Sequence, residues 1–199
     1  NDILYISDEV VTGFGRLGHW FASEEVFEII PDMITCAKGL TSGYLPLGAC
    51  IISDRILEIA SQGDEPSAFT NGYTYSAHPV SCAAALKNIE IFENERILEN
   101  VRNVSPHFQS RLKDLMKYDI VGDARGMGLL GCIECKAEDL EAERSLGSKI
   151  DQACEELGLL VRPLINMAVF SPPLIITIDQ IDEMFNILEA AIVKVENDL

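Results

Sequence analysis

The chain has 199 residues, of which 48% are hydrophobic and 24% charged, and it carries a formal net charge of −17. So negative a charge argues against nucleic acids and anionic membranes as partners, and no apolar run reaches the length of a membrane span. The hydrophobic share is that of a soluble globular protein, and six cysteines in mixed or apolar settings suit a reducing cytoplasm, where we expect the protein to work.

The first part of the chain alternates short apolar runs with helical patterns. Strands are predicted at 3–7, 33–36 and 47–53. Helices are predicted at 24–30, with Ser23 as N-cap, and from Asp54 as cap through Ala60. Residues 62–71 are predicted as a polar loop. This alternation indicates an α/β domain with a mostly parallel sheet.

From residue 79 to about residue 117 the pattern is helical, with a break or kink expected at Pro106. Strand-like runs follow at 120–123, 129–135, 159–162 and 169–171. A helix is predicted over 140–157, and Thr177 with Gln180 forms a capping box for the last helix. We therefore expect three parts: 1–78, part of a large α/β domain; 79–117, long connecting helices; and 118–199, a small α+β domain.

Two short motifs invite other functions. Gly13-Phe14-Gly15-Arg16-Leu17-Gly18 matches G-x-G-x-x-G and alone suggests a dinucleotide-binding module. However, an acidic pair separates it from the strand, and the aromatic run after it does not open a helix, so the glycines more simply allow a tight loop beside a ligand or subunit partner. Cys132 and Cys135 match C-x-x-C, but in a strand their sulfurs point to opposite faces, so no metal or redox site is expected.

Asp8 and Lys38 form the most informative pair in the sequence. Each follows a predicted strand, and Lys38 is the only lysine before Lys87. Pyridoxal phosphate (PLP) chemistry requires such a pair, because a lysine forms a Schiff base with the cofactor aldehyde and a carboxylate keeps the pyridine nitrogen protonated. We expect Lys38 to be buried, which would favour its neutral, nucleophilic amine. The alternative is a structural ion pair between the two side chains.

The residues around this pair resemble class III aminotransferases, PLP enzymes of fold type I. The resemblance begins with Tyr5-Ile6-Ser7-Asp8-Glu9-Val10 and Thr35-Cys36-Ala37-Lys38-Gly39. It continues through Gly72-Tyr73-Thr74-Tyr75-Ser76-Ala77-His78-Pro79, Arg125-Gly126-Met127-Gly128, Val161-Arg162-Pro163 and Ser171-Pro172-Pro173-Leu174. The motifs stand in family order over essentially the whole chain.

This resemblance implies a role for each matching residue. Asp8 pairs with the pyridinium nitrogen, and Val10 packs on one face of the ring. Lys38 is the Schiff-base lysine and proton carrier. Thr74, with the backbone around Tyr73, contacts the cofactor phosphate of the neighbouring subunit in a homodimer or higher homo-oligomer. Arg162 binds the carboxylate of the keto acid, for which a bidentate guanidinium is suited; its alternative is a surface ion pair.

The implied reaction moves an amino group between an omega-amino acid or amine and a keto acid such as pyruvate. An aminomutase, decarboxylase or epimerase of the same family is the first alternative. The family's Ser/Gly-rich phosphate loop and stacking aromatic residue have no counterpart before Asp8, so we expect this chain to be the C-terminal portion of such an enzyme. A non-catalytic fragment and a dinucleotide-binding module remain alternatives from other classes.

Overall fold

The computed structural model describes residues 2–62 and 71–198, which divide into two compact units. The first unit takes the residues up to Gly15 together with His19–Leu98, and the second takes Arg16–Gly18 and the residues from Glu99 onward. Most of the polar loop predicted at 62–71 lies outside the described residues. The three-part division at 79–117 stays a prediction.

The first unit contains a small mixed sheet with helices. Its strands are β1 (Ile6–Asp8), β2 (Met33–Cys36) and β3 (Ala49–Ile52). Its helices are α1 (Ala22–Glu25), α2 (Asp54–Ala60) and α3 (Pro79–Asn94). The strand order is β1-β2-β3, with β1 parallel to β2 and β3 antiparallel to it. The three predicted strands are therefore present: β2 has the predicted bounds, β3 is shorter at both ends, and β1 starts three residues later and ends one residue later than predicted.

The predicted start and length of the first helix are wrong. Helix α1 covers only four residues, its N-cap position is Phe21, and Ser23 lies buried inside it. The free N–H groups of Ala22 and Ser23 are satisfied by the distant carboxylate of Glu9 rather than by a neighbouring side chain. Likewise Ser53 occupies the N-cap position of α2, so Asp54 is its first residue and not its cap.

The core of the first unit lies beside the turn that carries Lys38. Its buried members come from the glycine loop, β2, the turn after it and α3: Phe14, Cys36, Leu40 and Ala85. Trp20 packs at the edge of this core and stacks on Phe92 of α3 with ring centroids 5.6 Å apart. This small core fixes the turn after β2 against α3.

The second unit is an antiparallel sheet covered by long helices. Its strands are β4 (Val121–Met127), β5 (Leu130–Cys135), β6 (Arg162–Leu164) and β7 (Met167–Phe170). Its helices are α4 (Ile97–Asp114), of which the part from Glu99 belongs here, α5 (Leu140–Glu156) and α6 (Ile178–Asn197). The strand order is β4-β5-β7-β6. None of the described helices has the length and hydropathy needed to cross a membrane.

The helices of this unit bury one continuous apolar face. The last helix begins with the predicted capping box, in which Thr177 and Gln180 each accept a hydrogen bond from the other's backbone. Its predicted apolar face is buried, with Phe185 and Leu188 fully inaccessible. The prediction of this helix is confirmed, as is that of α5.

The break predicted at Pro106 is in the wrong place. Pro106 lies inside α4, whereas the chain leaves the helical conformation before it, where Arg96 takes a φ of 52°. The buried residues of α4 run on both sides of the proline, from Val101 to Leu112. Because this stripe packs into one core, tertiary packing keeps the helix going past the proline.

Two strand predictions also need correction. Strand β4 continues to Met127 rather than ending at Asp123, because an edge strand accommodates the charged Arg125 on its exposed face. Strand β6 begins at Arg162, whereas the sequence predicted a strand at 159–162 that ends there. Its pairing with β7 is set by the two-residue turn at Ile165 and Asn166, which pairs Leu164 with Met167.

Candidate active site

Asp8 and Lys38 lie at the carboxyl ends of two neighbouring parallel strands. Asp8 ends β1 opposite Thr35 of β2, and the N–H of Glu9 donates to the Thr35 carbonyl at 2.8 Å. Strand β2 ends at Cys36, two residues before Lys38. Parallel strands place their carboxyl ends at one edge of a sheet, where open α/β sheets bind ligands.

The Asp8 carboxylate is exposed and held through one of its oxygens. Its Oδ1 accepts from the Val10 N–H at 3.1 Å and from the Thr35 hydroxyl at 3.3 Å. Within the described residues Oδ2 accepts no hydrogen bond, so this oxygen is available to accept one from a bound ligand. Val10, half-buried, follows directly in the same loop.

Lys38 begins a 3₁₀ turn, Lys38–Thr41, and has an unusual backbone conformation. Its φ of 38° lies in the left-handed region, which is uncommon for a residue with a Cβ. The next residue must be glycine, because a Cβ on Gly39 would stand 2.7 Å from Cβ of Phe14. The turn is therefore fixed against the loop that follows Asp8.

The side chain of Lys38 is exposed in the described part of the chain. Its burial in the complete protein stays a prediction. Among residues 2–62 and 71–198, no carboxylate lies within ion-pair distance of its amine. The structural ion pair between Asp8 and Lys38, weighed as the alternative, does not form in this part of the chain.

Glu9 is the buried carboxylate of this region, and only 1% of it is accessible. Its Oε2 accepts from the Thr12 hydroxyl at 2.6 Å and from the Ala22 N–H at 3.0 Å, and its Oε1 accepts from the Ser23 N–H at 2.6 Å. Burial raises the pKa of Glu9, but these hydrogen bonds outweigh burial and leave the pKa below its ordinary value of 4.5. Glu9 thus closes the loop between β1 and α1.

Tyr73 and Thr74 lie in an exposed turn before α3. The Ser76 N–H donates to the Tyr73 carbonyl, and the Ser76 hydroxyl accepts from the Tyr73 N–H, each at 2.9 Å. Both predicted phosphate-binding residues are accessible. Their contact with a neighbouring subunit stays a prediction.

Arg162 belongs to the second unit, where it begins β6 and pairs with Val169. It is exposed, and no carboxylate among the described residues lies within ion-pair distance of it. It lines a cavity of about 770 Å³ whose other walls are mostly apolar, including Phe170 and Pro172. Among the lining residues described, Arg162 carries the only charge, so an anionic group such as a carboxylate is what this cavity can pair with it.

The glycine loop does not have the form of a dinucleotide site. Phe14 and Gly15 donate from their N–H groups to the carbonyls of Trp20 and His19, which closes the loop on itself before any helix begins. A Cβ on Gly13 would stand 2.7 Å from the Glu9 carbonyl, so this glycine is needed for the loop's close return past Glu9.

Comparison with known proteins assigns the family. Residues 1–192 match the family model described as aminotransferase class-III. The chain belongs to the class-III aminotransferases, as its motifs indicated, and the dinucleotide-binding alternative finds no support.

Its relatives are amine and omega-amino acid transaminases. The chain is 40% identical over 191 residues to the putrescine–pyruvate aminotransferase of Pseudomonas aeruginosa, covering 94% of this chain and 41% of that protein. It is 39% identical over 202 residues to the chloroplastic gamma aminobutyrate transaminase 3 of Solanum lycopersicum, covering 98% of this chain and 39% of that protein. The chain thus spans about two fifths of the length of these curated relatives.

Solved structures give the same fold. A PLP-bound amine transaminase from an uncultivated Pseudomonas species superposes with a TM-score of 0.90 at 38% identity, over 97% of this chain and 45% of that one. An omega-aminotransferase from Paracoccus denitrificans gives 0.86 at 37% identity, over 100% of this chain and 45% of that one. The predicted α/β fold of a PLP-dependent transferase is confirmed.

Three supporting residues were not predicted from the sequence. Thr35 orients Asp8, Glu9 closes the loop beside it, and Asn88 of α3 binds the turn after Lys38. Glu9 lies in the motif Tyr5-Ile6-Ser7-Asp8-Glu9-Val10, but no role was assigned to it there. Its position between Asp8 and Val10 was the one indication in the sequence that it belongs to the site. Nothing local to Asn88 indicated its contact, because its partners lie 46 to 49 residues away.

Proposed function

We propose that the protein containing this chain transfers an amino group from an amine or omega-amino acid to a keto acid such as pyruvate, using PLP. The amine leaves as an aldehyde and the keto acid becomes an amino acid, so the exchange needs no external oxidant. The observation that carries this proposal is the placement of Asp8 and Lys38 at one edge of a parallel strand pair in a chain of the class-III family. The transaminase relatives support the reaction type.

The residues present fit PLP. An exposed amine and an oriented carboxylate oxygen stand at the same sheet edge, and an exposed hydroxyl is available at Thr74. When bound, PLP supplies the aldehyde that takes up the amino group and the ring that accepts electrons from the substrate carbon. Lys38 would hold it covalently and Asp8 would hold its ring nitrogen; Val10 would pack on the ring, and Tyr73 with Thr74 would bind phosphate across a subunit boundary.

The chain's own groups have distinct tasks in this reaction. The amine of Lys38 would take up and return a proton at Nζ. Asp8 keeps its negative charge oriented through Thr35 and the Val10 N–H, so no reorganisation is needed when charge develops nearby. Arg162 binds the keto acid's carboxylate.

We further propose a homodimer or higher homo-oligomer that works in the cytoplasm. Its six free cysteines suit a reducing compartment. Burial raises the thiol pKa of Cys135 to about 11 and that of Cys154 to about 12, which keeps both protonated and unreactive. The exposed turn at Tyr73 and Thr74 is accessible to a neighbouring subunit.

The complete gene product, incubated with PLP and reduced with borohydride, tests the proposal. Peptide mass mapping should find the adduct on Lys38. Lys38→Ala should lose the adduct and the alanine formed from pyruvate and an amine donor, whereas the control Lys87→Ala, an exposed lysine paired with Glu90, should keep both. An adduct on another lysine in Lys38→Ala, with activity retained, would refute the assignment.

A further inference from the structure

Asn88 holds the turn that begins with Lys38. Its Nδ2 donates to the carbonyls of Gly39 and Leu40 at 2.9 and 3.1 Å, and its Oδ1 accepts from the Ser42 hydroxyl at 2.7 Å. One half-buried side chain of α3 therefore binds three of the four residues that follow Lys38.

The backbone of this turn needs such support. Lys38 and Ser42 have φ values of 38° and 49°, both in the left-handed region. Residues with a Cβ stay in that region only where the surroundings over-determine the conformation. The Leu40 N–H donates to the Ala37 carbonyl at 2.9 Å, but the bonds from the N–H groups of Ser42 and Gly43 are long, each 3.3 Å, so the end of the turn is the part held weakly by its own backbone.

The side of the turn away from Asn88 is packed against other residues. Gly39 lies against Phe14 and the Gly13 carbonyl, and Leu40 is buried in the core that includes Ala85 of α3. Packing sets how closely the turn approaches the core, while the hydrogen bonds from Asn88 set the directions of the Gly39 and Leu40 carbonyls. Together they determine where the exposed side chain of Lys38 leaves the turn.

We propose that Asn88 is a positioning residue for Lys38, which sets the place of the lysine amine at the edge shared with Asp8. This inference rests on the proposed role of Lys38. The side-chain hydrogen bonds of Asn88 in the described residues go to Gly39, Leu40 and Ser42, so its proposed action on Lys38 is through the turn.

The test replaces Asn88 by aspartate in the complete gene product. Asn88→Asp keeps the size of the side chain, but its carboxylate cannot donate to the two carbonyls and repels them. The control is Asn94→Asp, which adds the same charge at an exposed position on the same helix. Ser42→Ala is the milder second variant, because it removes only one of the three bonds.

Three readouts separate positioning from folding. Amide exchange over residues 42–44 reports whether the turn loosens. Acetylation of Lys38 relative to Lys87 in the same sample reports the placement of the amine without PLP. The rate of PLP adduct formation and the pH dependence of the adduct's visible absorbance report the placement of the amine with PLP. A displacement of the amine by about 1 Å should lower the rate about 100-fold.

In Asn88→Asp we expect both the absorbance profile and the Lys38 labelling ratio to change. Ser42→Ala should show a smaller change in both, and Asn94→Asp should show no change in either. A turn that loosens while labelling, adduct rate and absorbance profile stay as in the wild type would overturn the inference, because Asn88 would then only stabilise the fold. If the wild type forms no adduct at Lys38, the proposed function fails, while the labelling ratio still decides whether Asn88 places the lysine.

Discussion

Glu9→Gln is the change that best tests how the loop after Asp8 is held. Glutamine keeps the size of the side chain but has one oxygen where Glu9 uses two. The two oxygens accept from the N–H groups of Ala22 and Ser23 and from the Thr12 hydroxyl. Whichever way the amide turns, at least one buried backbone N–H must face an NH₂ group.

The expected cost follows from that unsatisfied donor. A buried N–H without an acceptor costs about 1–3 kcal/mol. Such a cost raises the local opening equilibrium about 5-fold to about 150-fold. Amide exchange at Ala22 and Ser23 should therefore accelerate by a factor in this range. Glu24→Gln is the matched control, because it makes the same charge change at an exposed position of the same short helix and should leave both amides nearly unchanged.

The effect should also depend on pH with a defined sign. The pKa of Glu9 in the folded state lies below its ordinary value of 4.5, since the hydrogen bonds to the carboxylate outweigh burial. Its contribution to stability is thus complete above about pH 4.5 and is lost as pH falls through the lower folded value. The gap in thermal midpoint between wild type and Glu9→Gln should be widest near neutral pH and close in acid. Equal exchange at Ala22 and Ser23 in wild type and variant at neutral pH would refute this reasoning.

Two further changes test the second unit. Ile165 has a φ of 60° at the first position of the two-residue turn between β6 and β7, where glycine is favoured, and its side chain is exposed. Ile165→Gly should therefore stabilise the protein by about 1 kcal/mol, which is measured as a higher thermal midpoint. The control Ile175→Gly, at an exposed residue of ordinary φ, should lower the thermal midpoint. If both variants lowered the midpoint equally, the backbone of Ile165 would not be strained. Arg162→Ala should raise the KM for pyruvate about tenfold or more, since a bidentate carboxylate contact contributes about 1.5–3 kcal/mol. The KM for a simple amine should stay nearly unchanged, and equal rises would mean that Arg162 has only a structural role.

The elements that were predicted correctly are those whose signals are local. The capping box of α6 and its apolar face lie within one run of sequence, and the helix forms as that run indicates. Strands β1 and β2 were likewise recognised from short apolar runs. The placement of Asp8 and Lys38 at neighbouring strand ends followed from the same local evidence.

The errors arose where a distant group replaces a local signal. Helix α1 begins at Ala22 because Glu9, 13 residues away, accepts its first N–H, so no capping residue next to the helix was needed. Pro106 does not end α4, because residues on both sides of it pack into one core. In the turn after β2, Lys38 is exposed in the described part of the chain, while Leu40 is buried.

This difference explains why the candidate chemical groups of the site are visible in the sequence, whereas the residues that support them are not. The chemical groups must occur as particular residue types in a short motif, because each type has its own reactivity, and Asp8 and Lys38 are recognisable for that reason. Their supports need only supply a donor or an acceptor at the right point in space. Asn88 does this from a helix 49 residues along the chain, where many polar side chains would look alike in the sequence. Positioning residues of this kind are therefore found through the contacts of the folded chain, and variants at Glu9 and Asn88 measure a contribution that the motifs alone do not reveal.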